Sequence, residues 1–123
     1  MKKILLVDDD ASTTLVLDAM LTEEGFQVSV VNDSRKTVET ALETQPDIIL
    51  LDLMMPGIDG IEVCKMLRAE SHFEKTPILF FTAIGDLDYK SSAYQAGADD
   101  FIVKPIHPVE LISRIKKVSK GRT

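Results

Sequence analysis

Five short apolar runs recur along the chain, at residues 4–7, 28–31, 48–51, 78–81 and 101–103. Only Ser29 interrupts them, and such short, nearly continuous apolar runs are the pattern of strands covered on both faces. Between them lie stretches with helical spacing of apolar positions, at about 12–24, 35–44, 58–69, 86–96 and 108–120. Strand and helix therefore alternate five times. Such alternation predicts parallel strands joined by right-handed crossovers, with helices on both faces of the sheet. The expected architecture is a doubly wound α/β sandwich of three layers.

Local punctuation agrees with this division. Gly25 and Gly97 stand where helices are expected to end, and Pro108 with Glu110 behind His107 reads as a helix start. In the last helix Leu111, Ile115 and Val118 form one stripe with Ile112 beside it, while Arg114, Lys117 and Lys120 lie away from it. The fourth helix offers mainly Leu87, Tyr94 and alanines, so its hold on the core is expected to be weaker.

A length of 123 residues suits one domain, placed at residues 1–120, with 121–123 as a polar tail or the start of a linker. The apolar runs are far too short to cross a bilayer as helices. Met1-Lys2-Lys3 leads directly into the first strand without the apolar region of a signal peptide, so the cytoplasm is the expected compartment. A lone Cys64 excludes an internal disulfide, and His72 and His107 are not spaced as zinc ligands. The net charge of −6 argues against direct nucleic-acid binding and favours a cation as the ionic partner.

Ligand sites in open parallel sheets lie beyond the carboxyl ends of the strands. Here the first strand ends at Asp8-Asp9-Asp10, the third at Asp52, the fourth at Thr82 and the fifth at Lys104-Pro105. Carboxylates gathered at one rim repel each other unless cations compensate. Lys104 and a divalent ion would do so, and a hard oxygen cluster suits Mg²⁺, with Mn²⁺ as a substitute. One shielded carboxylate is then able to attack a phosphoryl group, and the Thr82 hydroxyl to bond the product.

The runs Ile4-Leu5-Leu6-Val7-Asp8-Asp9, Leu51-Asp52-Leu53-Met54-Met55-Pro56-Gly57-Ile58-Asp59-Gly60, Phe81-Thr82-Ala83, Gly97-Ala98-Asp99-Asp100-Phe101 and Val103-Lys104-Pro105 carry a specific likeness. Together they resemble the receiver domains of two-component response regulators, from Lys3 to about Lys120. The resemblance implies a flavodoxin-like five-stranded sheet of order 2-1-3-4-5. It implies Asp52 as acceptor of a phosphoryl group from a histidine kinase or phosphotransfer protein. Asp9, Asp52 and the Met54 carbonyl would bind Mg²⁺, and Asp8 would hold a metal-bound water. Thr82 and Lys104 would contact the phosphoryl oxygens, and Pro105 would follow a cis peptide bond. Phe101 matches an aromatic switch position whose ring moves inward after the Thr82 hydroxyl. A surface of the fourth helix, fifth strand and fifth helix, including Tyr94, Phe101 and Lys117, would serve a phosphorylation-dependent dimer, a downstream effector or an output domain.

Taken singly, these residues have plainer readings. Asp8 to Asp10 is also a helix cap, Thr82 a capping hydroxyl, Lys104 a surface lysine, and Asp59 ordinary turn chemistry. Cys64, on a helix with Ile61 and Leu67, reads as core; His72 reads as an exposed loop residue and His107 as part of a helix start. Two rival functions compete. A phosphatase of the haloacid dehalogenase type would use Asp8 as nucleophile with Asp10 in a D-x-D pattern, but an acidic metal motif should then follow Lys104, where only Glu110 stands. A phosphorylation-independent interaction module on the same fold is the other.

Overall fold

The five apolar runs form β1 (Lys3–Val7), β2 (Gln27–Val31), β3 (Ile48–Leu51), β4 (Ile78–Thr82) and β5 (Asp100–Val103) in a computed structural model that describes residues 2–83, 88–105 and 107–121. All pair in parallel, in the order β2-β1-β3-β4-β5. The helices are α1 (Ala11–Glu23), α2 (Thr37–Thr44), α3 (Gly60–Ala69), α4 (Lys90–Ala96) and α5 (Pro108–Gly121). The doubly wound sandwich and its strand order are as the sequence implies.

Alternation along each strand feeds two cores. Leu5, Val7, Ile49, Leu51, Phe80 and Phe101 pack with Ala41, Val63, Cys64, Leu67 and Ala93 of α2, α3 and α4. On the opposite face Ile4, Leu6, Ile48, Leu50, Leu79, Phe81 and Ile102 meet Leu17 and Leu21 of α1 and Leu111, Ile112 and Ile115 of α5. Each fully buried Leu or Ile contributes roughly 1.5–3 kcal/mol relative to exposure. β2 departs from expectation: only Val31 is buried, because an edge strand has a single neighbour and incomplete helix cover.

Several boundaries shift for identifiable reasons. The segment expected as one helix from Arg35 opens as a 3-10 turn, Ser34–Lys36, before α2. α3 begins at Gly60 rather than Ile58 because Asp59 caps it, accepting from the Glu62 N–H at 2.9 Å. His72 is exposed, as expected, in a connection that forms a 3-10 turn, Ser71–Phe73. α4 is described from Lys90; residues 86 and 87, with Leu87, lie outside the described residues. Among its described residues Ala93 and Ala96 are buried and Tyr94 is exposed. α5 extends to Gly121, into the expected tail, and residues 122 and 123 lie outside the described residues. Gly97 closes α4 with φ 115°, a left-handed conformation that glycine adopts without a Cβ penalty.

Gly60 sets how tightly α3 seats beneath the rim. A Cβ there would collide with the Asp52 carbonyl oxygen and come within 2.9 Å of Leu53 Cα and of the Phe80 ring. Backbone cannot yield as a side-chain tip does, so Gly60→Ala is expected to destabilise the fold by at least about 2 kcal/mol. A urea midpoint unchanged from the parent protein would refute this.

Candidate functional site

Strand register assembles the rim. Val7 is paired with Leu51, so the next residues, Asp8 and Asp52, emerge side by side. Backbone bonds hold them there: Asp8 N–H donates to the Val31 carbonyl at 3.1 Å and Asp52 N–H to the Val7 carbonyl at 2.9 Å. Thr82 pairs with Val103, and the following Lys104 N–H donates to the Thr82 carbonyl at 2.7 Å. The Lys104–Pro105 peptide is cis.

Lys104 spans the cluster. Its Nζ donates to Asp8 Oδ2 at 3.1 Å and lies 4.0 Å from Asp52 Oδ1. Asp8, Asp9 and Asp52 can each offer a carboxylate oxygen within 4.8 Å of the others. The donor set is entirely hard oxygen, which fits Mg²⁺ or Mn²⁺ and not a soft-ligand metal. Asp10 takes a different role. It caps α1, accepting from the Ser12 and Thr13 N–H groups, which hold its carboxyl below the usual range.

Asp52 is less exposed than a rim position suggests, with 12% of its side chain accessible. That burial, then the neighbouring Asp8 charge, push its pKa up to about 7; Lys104 and the Leu53 N–H oppose the shift. The result is a carboxylate whose charge depends on a cation to offset it.

The remaining expected site residues fall as follows. Thr82 is fully buried at the end of β4, one strand from Asp52. Met54 is exposed on the loop after β3. Phe101 is buried, its ring 6.2 Å from that of Phe80, so in this structure it is not part of the outer surface on which Tyr94 and Lys117 lie. Asp100, at the start of β5, pairs with Arg114 of α5 at 3.4 Å. Cys64 is buried and its thiol is pushed up to about 11 by burial, as befits a core residue. His107 precedes α5 and accepts from the Val109 N–H.

The β2 end contributes residues that the strand-end argument passed over. The Asn32 side-chain amide donates to the Asp8 carbonyl at 2.8 Å and to Thr14 Oγ1 at 3.1 Å, tying the acidic loop to α1. Ser34 Oγ donates to the Pro56 carbonyl and accepts from the Ile58 N–H, both at 3.2 Å, tying down the loop after Asp52. The rule applied to the other four strands also covers Asn32-Asp33-Ser34, which directly follows Val31.

Comparison with known proteins agrees with this geometry. Residues 4–116 match the response regulator receiver domain model. The chain is 43% identical over 115 residues to the DNA-binding response regulator MtrA of Mycolicibacterium paratuberculosis, covering 94% of this chain and 50% of that protein. It is 41% identical over 114 residues to the transcriptional regulatory protein ResD of Bacillus subtilis, covering 93% and 46%. The chain thus spans about half the length of the curated relatives it matches. A response regulator crystal structure from Chloroflexus aurantiacus superposes with a TM-score of 0.91 at 33% identity, covering 97% of this chain and 98% of that one. The receiver domain of sensor histidine kinase PA1611 from Pseudomonas aeruginosa, which holds magnesium in its active site cleft, superposes with a TM-score of 0.88 at 30% identity, covering 97% and 98%.

The fold and its acidic rim are those of a signalling receiver domain. The chain belongs to the response regulator receiver domain family of two-component systems. Membership displaces the dehalogenase reading, and Asp10, which that reading needs beside Asp8, is engaged in capping α1. Among the described residues no helix is long and apolar enough to cross a membrane.

Proposed function

We propose that residues 1–120 act as a cytoplasmic phosphoacceptor unit in which Asp52 takes a phosphoryl group from a phosphohistidine of a histidine kinase or phosphotransfer protein. An Asp52 oxygen forms the new bond to phosphorus, the phosphorus–nitrogen bond breaks, and the departing imidazole keeps the electron pair and takes up a proton. Asp9, Asp52 and the Met54 carbonyl would hold Mg²⁺, with Asp8 on a coordinated water; the ion supplies charge neutralisation for incoming phosphoryl oxygens. Lys104, already placed between Asp8 and Asp52, donates to one of those oxygens. Thr82 donates to another, and Phe101 follows the hydroxyl to report the change. The observation that carries this reading is the single ammonium serving carboxylates from β1 and β3.

Signal output is then a population shift: the phosphorylated state must favour one arrangement of the Thr82 and Phe101 region over the other. The α4–β5–α5 face would change its affinity for a second copy, a downstream effector or an output domain. With a net charge of −6 the chain itself would not bind nucleic acid directly.

Incubation with Mg²⁺ and acetyl phosphate, followed by mass spectrometry, tests the acceptor. A labile phosphoryl group on Asp52 is expected; one on Asp8, or none, would refute the assignment. Lys104→Ala is expected to slow adduct formation at least tenfold, since a charge-assisted hydrogen bond contributes roughly 1.5–3 kcal/mol. Mg²⁺ affinity should fall far less, because an ammonium ligates no cation. Lost metal binding with normal adduct formation would contradict the division of roles.

A further inference from the structure

A lysine that reaches across a strand to serve two carboxylates has a long, flexible stem to control. The Lys104 ammonium sits not only beside Asp8 and Asp52 but also over the ring of Phe81, 5.2 Å from its centroid. That separation is within the range of a cation–π interaction. Phe81 is itself fixed: it is 9% exposed and belongs to the core beneath α1 and α5. The Lys104 side chain is 28% exposed, so part of its hydration has been replaced by these three neighbours.

We infer that Phe81 is a positioning residue for phosphoryl transfer, its ring face holding the Lys104 ammonium where it can pass from Asp8 to a phosphoryl oxygen on Asp52. This rests on the role proposed above for Lys104. The Asp8 contact alone would draw the ammonium to β1, since Asp8 Oδ2 is at 3.1 Å and Asp52 Oδ1 at 4.0 Å. A hydrogen bond is directional and breaks when the donor moves. The attraction of a cation to a ring quadrupole is broad, and survives a small lateral displacement across the face. Phe81 thus supplies a partner the ammonium retains while exchanging one oxygen for another. An aliphatic residue would fill the same core volume and offer the cation nothing. The apolar run Ile78–Phe81 gives no hint of this difference, because any large hydrophobe satisfies a buried strand.

The test separates packing from electrostatics. Phe81→Leu is expected to slow Asp52 phosphorylation by acetyl phosphate about three- to fivefold, and Phe81→Trp to keep or restore the rate. A series of para-fluoro, difluoro and pentafluoro phenylalanines at position 81 keeps the ring shape while draining its face of negative potential. The rate is expected to fall stepwise along that series, with Mg²⁺ affinity unchanged. In NMR spectra the Lys104 ε-methylene protons are expected to be shifted upfield by the ring, and to lose that shift in Phe81→Leu. A rate indifferent to fluorination, or ε-protons without a ring shift, would overturn the inference while leaving Asp52 as acceptor. Absence of any Asp52 adduct in the unsubstituted protein would instead overturn the parent reading, and the kinetic role of Phe81 with it.

Discussion

Asp52→Asn is expected to abolish the acid-labile phosphoryl adduct while leaving the fold intact. The change is close to isosteric, and an asparagine Oδ1 can still accept the Leu53 N–H that Asp52 accepts at 3.0 Å. What is lost is the anionic nucleophile, since an amide oxygen does not form a stable acyl phosphate. Lys104 keeps Asp8 as a partner, so no charge is left buried and unpaired. Intact-mass measurement after incubation with Mg²⁺ and acetyl phosphate should show the adduct reduced to background, beside an unchanged far-UV circular dichroism spectrum. An adduct of undiminished yield would sink the assignment of Asp52.

The site is legible in the sequence for a simple physical reason. Asp8, Asp52, Thr82 and Lys104 each end or directly follow an apolar strand, and parallel strands carry all such ends to one edge. Backbone periodicity therefore fixes their neighbourhood to within a residue or two. Asp59 and Gly97 were equally readable, because caps and left-handed helix ends are local chemistry. Exposure was not. Asp52 reads as a rim carboxylate, yet only 12% of its side chain is accessible, and no local pattern encodes that burial. For Phe101 the apolar run predicts burial and the family resemblance a docking surface; packing against Phe80 agrees with the run.

The residues that escaped notice are those whose roles depend on partners distant in sequence. Asn32 bonds the Asp8 carbonyl across 24 positions; its place after Val31 puts it at the rim, but Asn32-Asp33-Ser34 does not itself name that partner. Arg68 binds the Phe73, Thr76 and Gly97 carbonyls and the Asp99 carboxylate, a junction joining α3 to the loops before β4 and β5. On its helix it reads as a solvated basic residue. Asp99 in turn accepts from the Ile78 N–H, so the start of β4 is held by the same pair. The junction lies at the end of the sheet opposite the acidic rim, and it ties the C-terminal end of α4 to α3.

The pH dependence of stability gives the second large expected effect. In the folded protein without metal the Asp52 pKa is raised to about 7, against about 3.9 in an unfolded chain. Between those values the folded state binds the extra proton, so stability falls as pH rises through that window and is level above it. The span corresponds to an upper bound of about 4 kcal/mol. Asp10 and Asp33, whose carboxyls are held low by N–H groups and by Arg35 respectively, act in the opposite sense at acid pH. A difference curve isolates Asp52 from them: metal-free Asp52→Asn should be more stable than the parent by a few kcal/mol at pH 8, and the two should converge near pH 4. Mg²⁺ is expected to close the gap at pH 8 by stabilising only the parent, since it offsets the very charge that burial and Asp8 make costly. Urea denaturation of both proteins at several pH values, with and without Mg²⁺, measures this directly. A difference independent of pH would mean that Asp52 titrates alike in the folded and unfolded chain, and that burial and Asp8 do not make its charge costly.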